Sequence, residues 1–77
     1  MKFKELEAAV LAVDLIEEGL TRGMIGAIVY IHEKPSEAYE VEFVDKDGHT
    51  TALLTLTPAQ LEPYEQPAGN ADINYFR

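Results

Sequence analysis

The chain has no cysteine and no tryptophan, a single serine, and only six Lys and Arg residues. Without cysteine there is no disulfide framework, no thiolate zinc site and no thiol nucleophile. Nonspecific binding to DNA or RNA works by counterion release from clustered Lys and Arg, and no stretch here holds even three basic residues close together. Anionic membrane surfaces are disfavoured by the same argument. No apolar run approaches the roughly 20 residues that cross a bilayer, and the longest, Leu6 to Ile16, carries Glu7 and Asp14. Met1-Lys2-Phe3-Lys4-Glu5 lacks the apolar core and small-residue cleavage site of a secretory signal. These absences lead us to expect a cytoplasmic protein that binds neither nucleic acid nor membrane.

What is present is acid. Fourteen Asp and Glu residues give the 77-residue chain a formal charge of −8. That length allows one domain with a thin core, so an active site would lie in a surface groove rather than a deep pocket. The charge favours solubility and a basic protein partner.

Glycine and proline divide the chain. Glu17-Glu18-Gly19 closes the first segment, and Gly23 and Gly26 bracket the start of the second. Lys34-Pro35-Ser36-Glu37 and Asp45-Lys46-Asp47-Gly48 read as turns, the second with Gly where a hairpin needs φ > 0. Three runs between them have strand character: Ala27 to His32, Ala38 to Val44, and His49 to Thr57. In the middle run Tyr39, Val41 and Phe43 alternate with Glu40, Glu42 and Val44, giving one apolar and one mostly acidic face. Thr51, Leu53, Thr55 and Thr57 oppose Ala52, Leu54 and Leu56 in the third run, and either set could face inward. The first run is apolar on both faces, which suits a central, bent strand.

The first segment reads two ways. By propensity Lys4 to Ile16 is a helix. Yet a three-stranded meander keeps two exposed edges, and pairing Val10 to Leu15 along one and Leu61 to Tyr64 along the other would cover both. Thr57-Pro58-Ala59-Gln60 reads as a capped helical turn before that last strand. The order is then that of a small all-β, SH3-like barrel. It has about five antiparallel strands and a short 3-10 turn before the last. Residues 1–64 form the barrel and 65–77 an extended C-terminal tail.

The run from Glu18 to Val29, with glycines at 19, 23 and 26, resembles the opening loop of SH3-like proteins of the KOW type. Together with Ala38 to Asp45, Ala52 to Leu56 and Gln60-Leu61, it resembles a family of small bacterial proteins, often cyanobacterial, labelled a domain of unknown function. That resemblance covers about residues 3 to 64. It implies an SH3-like barrel without catalytic residues, and members that often lie beside genes for small toxins. It therefore implies an antitoxin or immunity-like role. KOW modules that bind RNA have basic residues around this loop, whereas Glu17 and Glu18 stand here with Arg22 alone.

Each candidate motif weighs against catalysis. A phosphate loop needs Lys-Ser/Thr after its last glycine, and Gly26 is followed by Ala27-Ile28, so the glycines read as φ > 0 positions and a bulge at a sheet corner. Asp45 to Gly48 lacks the calcium-loop spacing, because Leu56 stands where a bidentate Glu belongs. His32 and His49 have no second His or Cys nearby and read as surface residues, and Ser36 lies in a turn. We expect no metal, no cofactor and no enzyme activity. The expected binding residues are Glu40 and Glu42 on the acidic strand face and Ile73, Tyr75 and Phe76 at the chain end. The expected partner is a basic protein, a toxin being the leading case, with a homo-oligomer built through the tail as a further use of the same aromatics. The alternatives are an accessory subunit docking on a larger enzyme and, last, a KOW-type RNA-binding module.

Overall fold

The computed structural model describes residues 2–65. Within them lie five strands: β1 (Ala8–Leu11), β2 (Ile25–His32), β3 (Ala38–Val44), β4 (Thr50–Leu56) and β5 (Leu61–Pro63). Two 3-10 turns, Ile16–Glu18 and Pro58–Gln60, complete the order. The strands form one antiparallel sheet in the order β4-β3-β2-β1-β5.

The N-terminal segment is strand rather than helix. Its helix-forming residues are overridden because Ala9 and Leu11 alternate inward with no exposed surface, and only pairing to β2 and β5 covers both edges of β1. The strand is Ala8–Leu11, earlier than the expected Val10 to Leu15. Leu15 instead forms an isolated bridge with Leu20 at the base of the glycine loop. β5 also differs from expectation. It pairs with β1, Leu11 opposite Leu61, and not with the far edge of the meander. The sheet therefore curls into a barrel-like form without a β4–β5 ladder. Leu56 and Leu61, at facing ends of β4 and β5, bury against the same core across the second 3-10 turn. That turn begins at Thr57, whose backbone N–H donates to Gln60 Oε1 at 2.8 Å in a capping box.

The core is Phe3, Ala9, Leu11, Leu20, Ile28, Tyr39, Val41, Phe43, Leu56 and Leu61. β4 turns Ala52, Leu54 and Leu56 towards it and Leu53 and Thr55 away. In β2 the register slips between Ile28 and Tyr30, leaving Val29 as an extra residue opposite β3. This bulge resets the alternation: Ile28 and Ile31 both face the core, and Tyr30 and His32 both face out.

Gly19, Gly23 and Gly48 adopt φ of 75°, 96° and 86°. Gly26 does not belong with them. It sits inside β2, and a Cβ there would lie 2.6 Å from Val41 Cγ1 and 2.9 Å from Phe43 Cε1. Its role is close approach, not turning.

Candidate functional site

The outer face of β2, β3 and β4 gathers the residues with most to offer a partner. Cross-strand register places Tyr30, Glu40 and Thr55 in one row and Ala27, Glu42 and Leu53 in the next. Tyr30 and His32, two apart on β2, stack edge to face with ring centroids 4.9 Å apart. His32 Nε2 donates to Glu40 Oε2 at 2.7 Å, and Thr55 Oγ1 donates to the same oxygen at 2.5 Å. Thr50 Oγ1 donates to Glu42 Oε2 at 2.5 Å.

The Thr55 hydroxyl and then His32 hold the Glu40 carboxyl below its ordinary value. Glu40 is thus kept ionised, and both of these bonds fall on one of its two oxygens. Among the described residues no Lys or Arg pairs with a carboxylate, since both ion pairs are made by histidines. Around the acids lie exposed apolar side chains: Ile25, Tyr30, Val44 and Leu53, each about half exposed at 51–57%. At the Val44 end the face meets an open groove of ≈ 390 Å³ lined by Leu20, Met24, Ile25 and Val44, with Asp45 at its rim.

Glu40 and Glu42 therefore stand on one outer face as the alternation predicts. His32 is half-buried and tied to Glu40, where the sequence suggested a solvated residue. Sequence reasoning missed Tyr30, Thr50 and Thr55 altogether. The signal for Tyr30 was hidden by the bulge, since strict alternation from Ile28 would have pointed it inward. Ile73, Tyr75 and Phe76 lie outside the described residues.

At the β3–β4 hairpin, ligand atoms of Asp45, Asp47 and His49 lie within 4.8 Å of one another, all exposed. The turn accounts for this closeness. Asp45 Oδ1 accepts the backbone N–H of Asp47 at 2.9 Å and of His49 at 3.0 Å.

The bonded state of Glu40 has a pH signature. A carboxyl whose folded pKa is depressed stabilises the fold above its unfolded value, and that contribution disappears as pH falls through the folded value. Wild type should melt above Glu40→Gln at neutral pH. The gap should close as the pH drops below the ordinary value of 4.5. Paired melting curves across that range read it, and a gap that stays constant would contradict the assignment.

No helix among the described residues is long and apolar enough to cross a membrane. A family described as a domain of unknown function (DUF4926) matches residues 5–63. No curated protein and no solved structure matches the chain.

Proposed function

The chain belongs to that domain-of-unknown-function family, and we propose that it is a noncatalytic protein–protein interaction module that captures a basic partner on the outer face of β2–β4. The observation that carries the reading is the combination on one face of the Glu40 and Glu42 carboxylates, without Lys or Arg partners among the described residues, and half-exposed Tyr30, Leu53 and Val44. Such a surface attracts positive charge over distance and then covers apolar area on contact. An SH3-like barrel is a natural carrier for it, and the strand order with its 3-10 turn before β5 supports that description.

An antitoxin or immunity-like role fits this chemistry, because masking a basic protein needs acidic surface rather than a catalytic centre. A cytoplasmic setting accords with it. The reading as an accessory subunit draws on the groove at the Val44 end, whose lining of Leu20, Met24 and Ile25 suits an apolar side chain of a larger enzyme.

The test is co-expression of the chain with the product of the neighbouring gene, followed by binding kinetics. Glu40→Lys with Glu42→Lys should slow association by about tenfold at low salt, and the wild-type rate should fall as salt rises. Equal rates for both proteins would remove the acidic face from the mechanism. Truncation after Gln66 gives a separate measure of what Ile73, Tyr75 and Phe76 add.

A further inference from the structure

Of the chain's two histidines, His49 belongs to the β3–β4 hairpin and His32 stands on the outer face beside Glu40. An ionised carboxylate only accepts, so the 2.7 Å contact to Glu40 Oε2 puts the proton of the neutral His32 ring on Nε2 and leaves Nδ1 to take a second. Tyr30 holds that ring edge to face at 4.9 Å. The His32 and Glu40 side chains are 37% and 25% exposed, so water reaches the imidazole and a partner reaches the carboxylate. Glu42 keeps different company, because its Oε2 accepts from the uncharged Thr50 hydroxyl. One carboxylate of the face therefore has a neighbour that can cancel its charge, and the other does not. We infer that His32 is a built-in competitor for the basic partner: neutral, it leaves the Glu40 charge to the partner, and protonated, it cancels that charge, so that binding weakens as the solution becomes mildly acidic.

The gate rests on the reading of this face as the site for a basic partner and adds its regulation. The groups around the imidazole narrow the cause to one proton. β3 presents Glu40, and β4 presents Thr55, which shares the same carboxylate oxygen and has no charge to change. β2 itself presents Tyr30, and Glu33 and Lys34 follow His32 in the chain. Glu37, ahead of β3, is engaged by the Tyr39 hydroxyl and the Lys2 backbone N–H. Carboxylates ordinarily titrate near 4 and phenols and amines near 10, so between about pH 5 and 8 the imidazole is the group of this set that changes charge. The sign follows from linkage. A basic partner favours the neutral ring, so its binding expels a proton from His32, and by reciprocity added protons oppose binding. One exposed charge pair is worth up to about fivefold in an equilibrium constant.

The probe is a histidine-free peptide of lysine and arginine with blocked termini, whose own charge is constant between about pH 5.5 and 8. Titrated into the full chain at low salt, it should bind about three- to fivefold more weakly at the acidic end of that range than at the alkaline end. His32→Gln keeps a donor for Glu40 but cannot take the proton, and it should bind at the wild type's tighter level at both ends. His32→Lys carries the charge permanently and should bind at the weaker level at both, each variant with an unchanged circular dichroism spectrum. His49→Gln should keep the wild-type pH dependence, because that ring lies 3.7 Å from Asp45 at the hairpin. An equal pH dependence in wild type and His32→Gln would overturn the gate while leaving the acidic face as the binding site, as would His32→Lys binding as tightly as His32→Gln. A peptide that does not bind wild type even at the alkaline end would overturn the gate and the acidic-face reading together.

Discussion

Gly26→Ala should destabilise the protein by about 2 kcal/mol and lower its melting temperature by roughly 10 °C. The added methyl would meet Val41 Cγ1 at 2.6 Å, Phe43 Cε1 at 2.9 Å and the Glu42 carbonyl oxygen at 3.0 Å. Side chains alone cannot relieve this, because one of the three obstacles is backbone. β2 must move away from β3, and the two are joined along most of their length. For a domain of this size total stability is on the order of 4–11 kcal/mol, so the loss is a large share. In an ordinary strand the same change would help, since Ala has the better β propensity and restricts the unfolded chain. The sign of the effect therefore discriminates. Chemical denaturation of the two proteins reads it, and a Gly26→Ala variant as stable as wild type would mean that β2 and β3 leave room for a methyl group between them. Gly19→Ala is the useful companion. Its Cβ meets nothing within 4 Å, and its cost arises only from φ of 75°.

That pair also shows what the sequence could and could not disclose. Glycines at 19, 23 and 26 look alike in a string, yet two serve dihedral angles and one serves a gap of a single methyl between strands. The dihedral demand was legible from the loop chemistry. The gap depends on which residues lie opposite, and no local pattern records that. β3 was read with its exact limits because Tyr39, Val41 and Phe43 alternate strictly with Glu40 and Glu42. The 3-10 turn was legible for a similarly local reason, the Thr57-Pro58 start with Gln60 to close the capping box. β1 was harder, since four residues that look helical became a strand only because the sheet on both sides needed them.

The candidate site divides in the same way. Glu40 and Glu42 could be placed on one face by counting in twos along β3. Their partners could not. Thr55 and Thr50 arrive through the β3–β4 register, and His32 arrives because the extra residue at Val29 turns it outward. A bulge leaves no compositional mark in an all-apolar run such as Ile28-Val29-Tyr30-Ile31. Both faces of that run looked equally buriable, so parity was the one thing it could not supply.

Tyr39→Phe should cost about 2 kcal/mol, although it removes one oxygen and leaves the ring in place. Tyr39 is fully buried, and its hydroxyl is the meeting point of the N-terminal segment with β3. It accepts the backbone N–H of Lys2 at 3.0 Å and of Phe3 at 3.3 Å, and it donates to Glu37 Oε2. Without it the buried Phe3 N–H loses its partner, which is the expensive half of a broken hydrogen bond. The damage should spread along the segment. Phe3 packs edge to face on Tyr39 at 5.2 Å, and Lys2 Nζ donates to the carbonyls of Pro58 and Leu61 at 3.0 and 2.6 Å. These two residues thus bridge β3 to β5, where the sheet has no ladder to close it. Amide exchange at Phe3 should accelerate in the variant while exchange in β2 and β3 follows only the global stability.

Alkaline pH supplies a second signature of the same hydroxyl. Burial, and next the bond to Glu37, push the Tyr39 phenol above its ordinary value of 10.0. A phenol raised in this way stabilises the fold below its unfolded value, and the contribution is lost as pH climbs through the folded one. The gap between wild type and Tyr39→Phe should therefore be full at neutral pH and narrow above pH 10. Glu40, the next residue, points out of the barrel, and its bonds to His32 and Thr55 do not involve the phenol. Well below its melting temperature the variant should therefore bind a basic partner at the wild-type rate. A matching loss of affinity would mean that the acidic face depends on the N-terminal bridge, and that scaffold and surface are coupled.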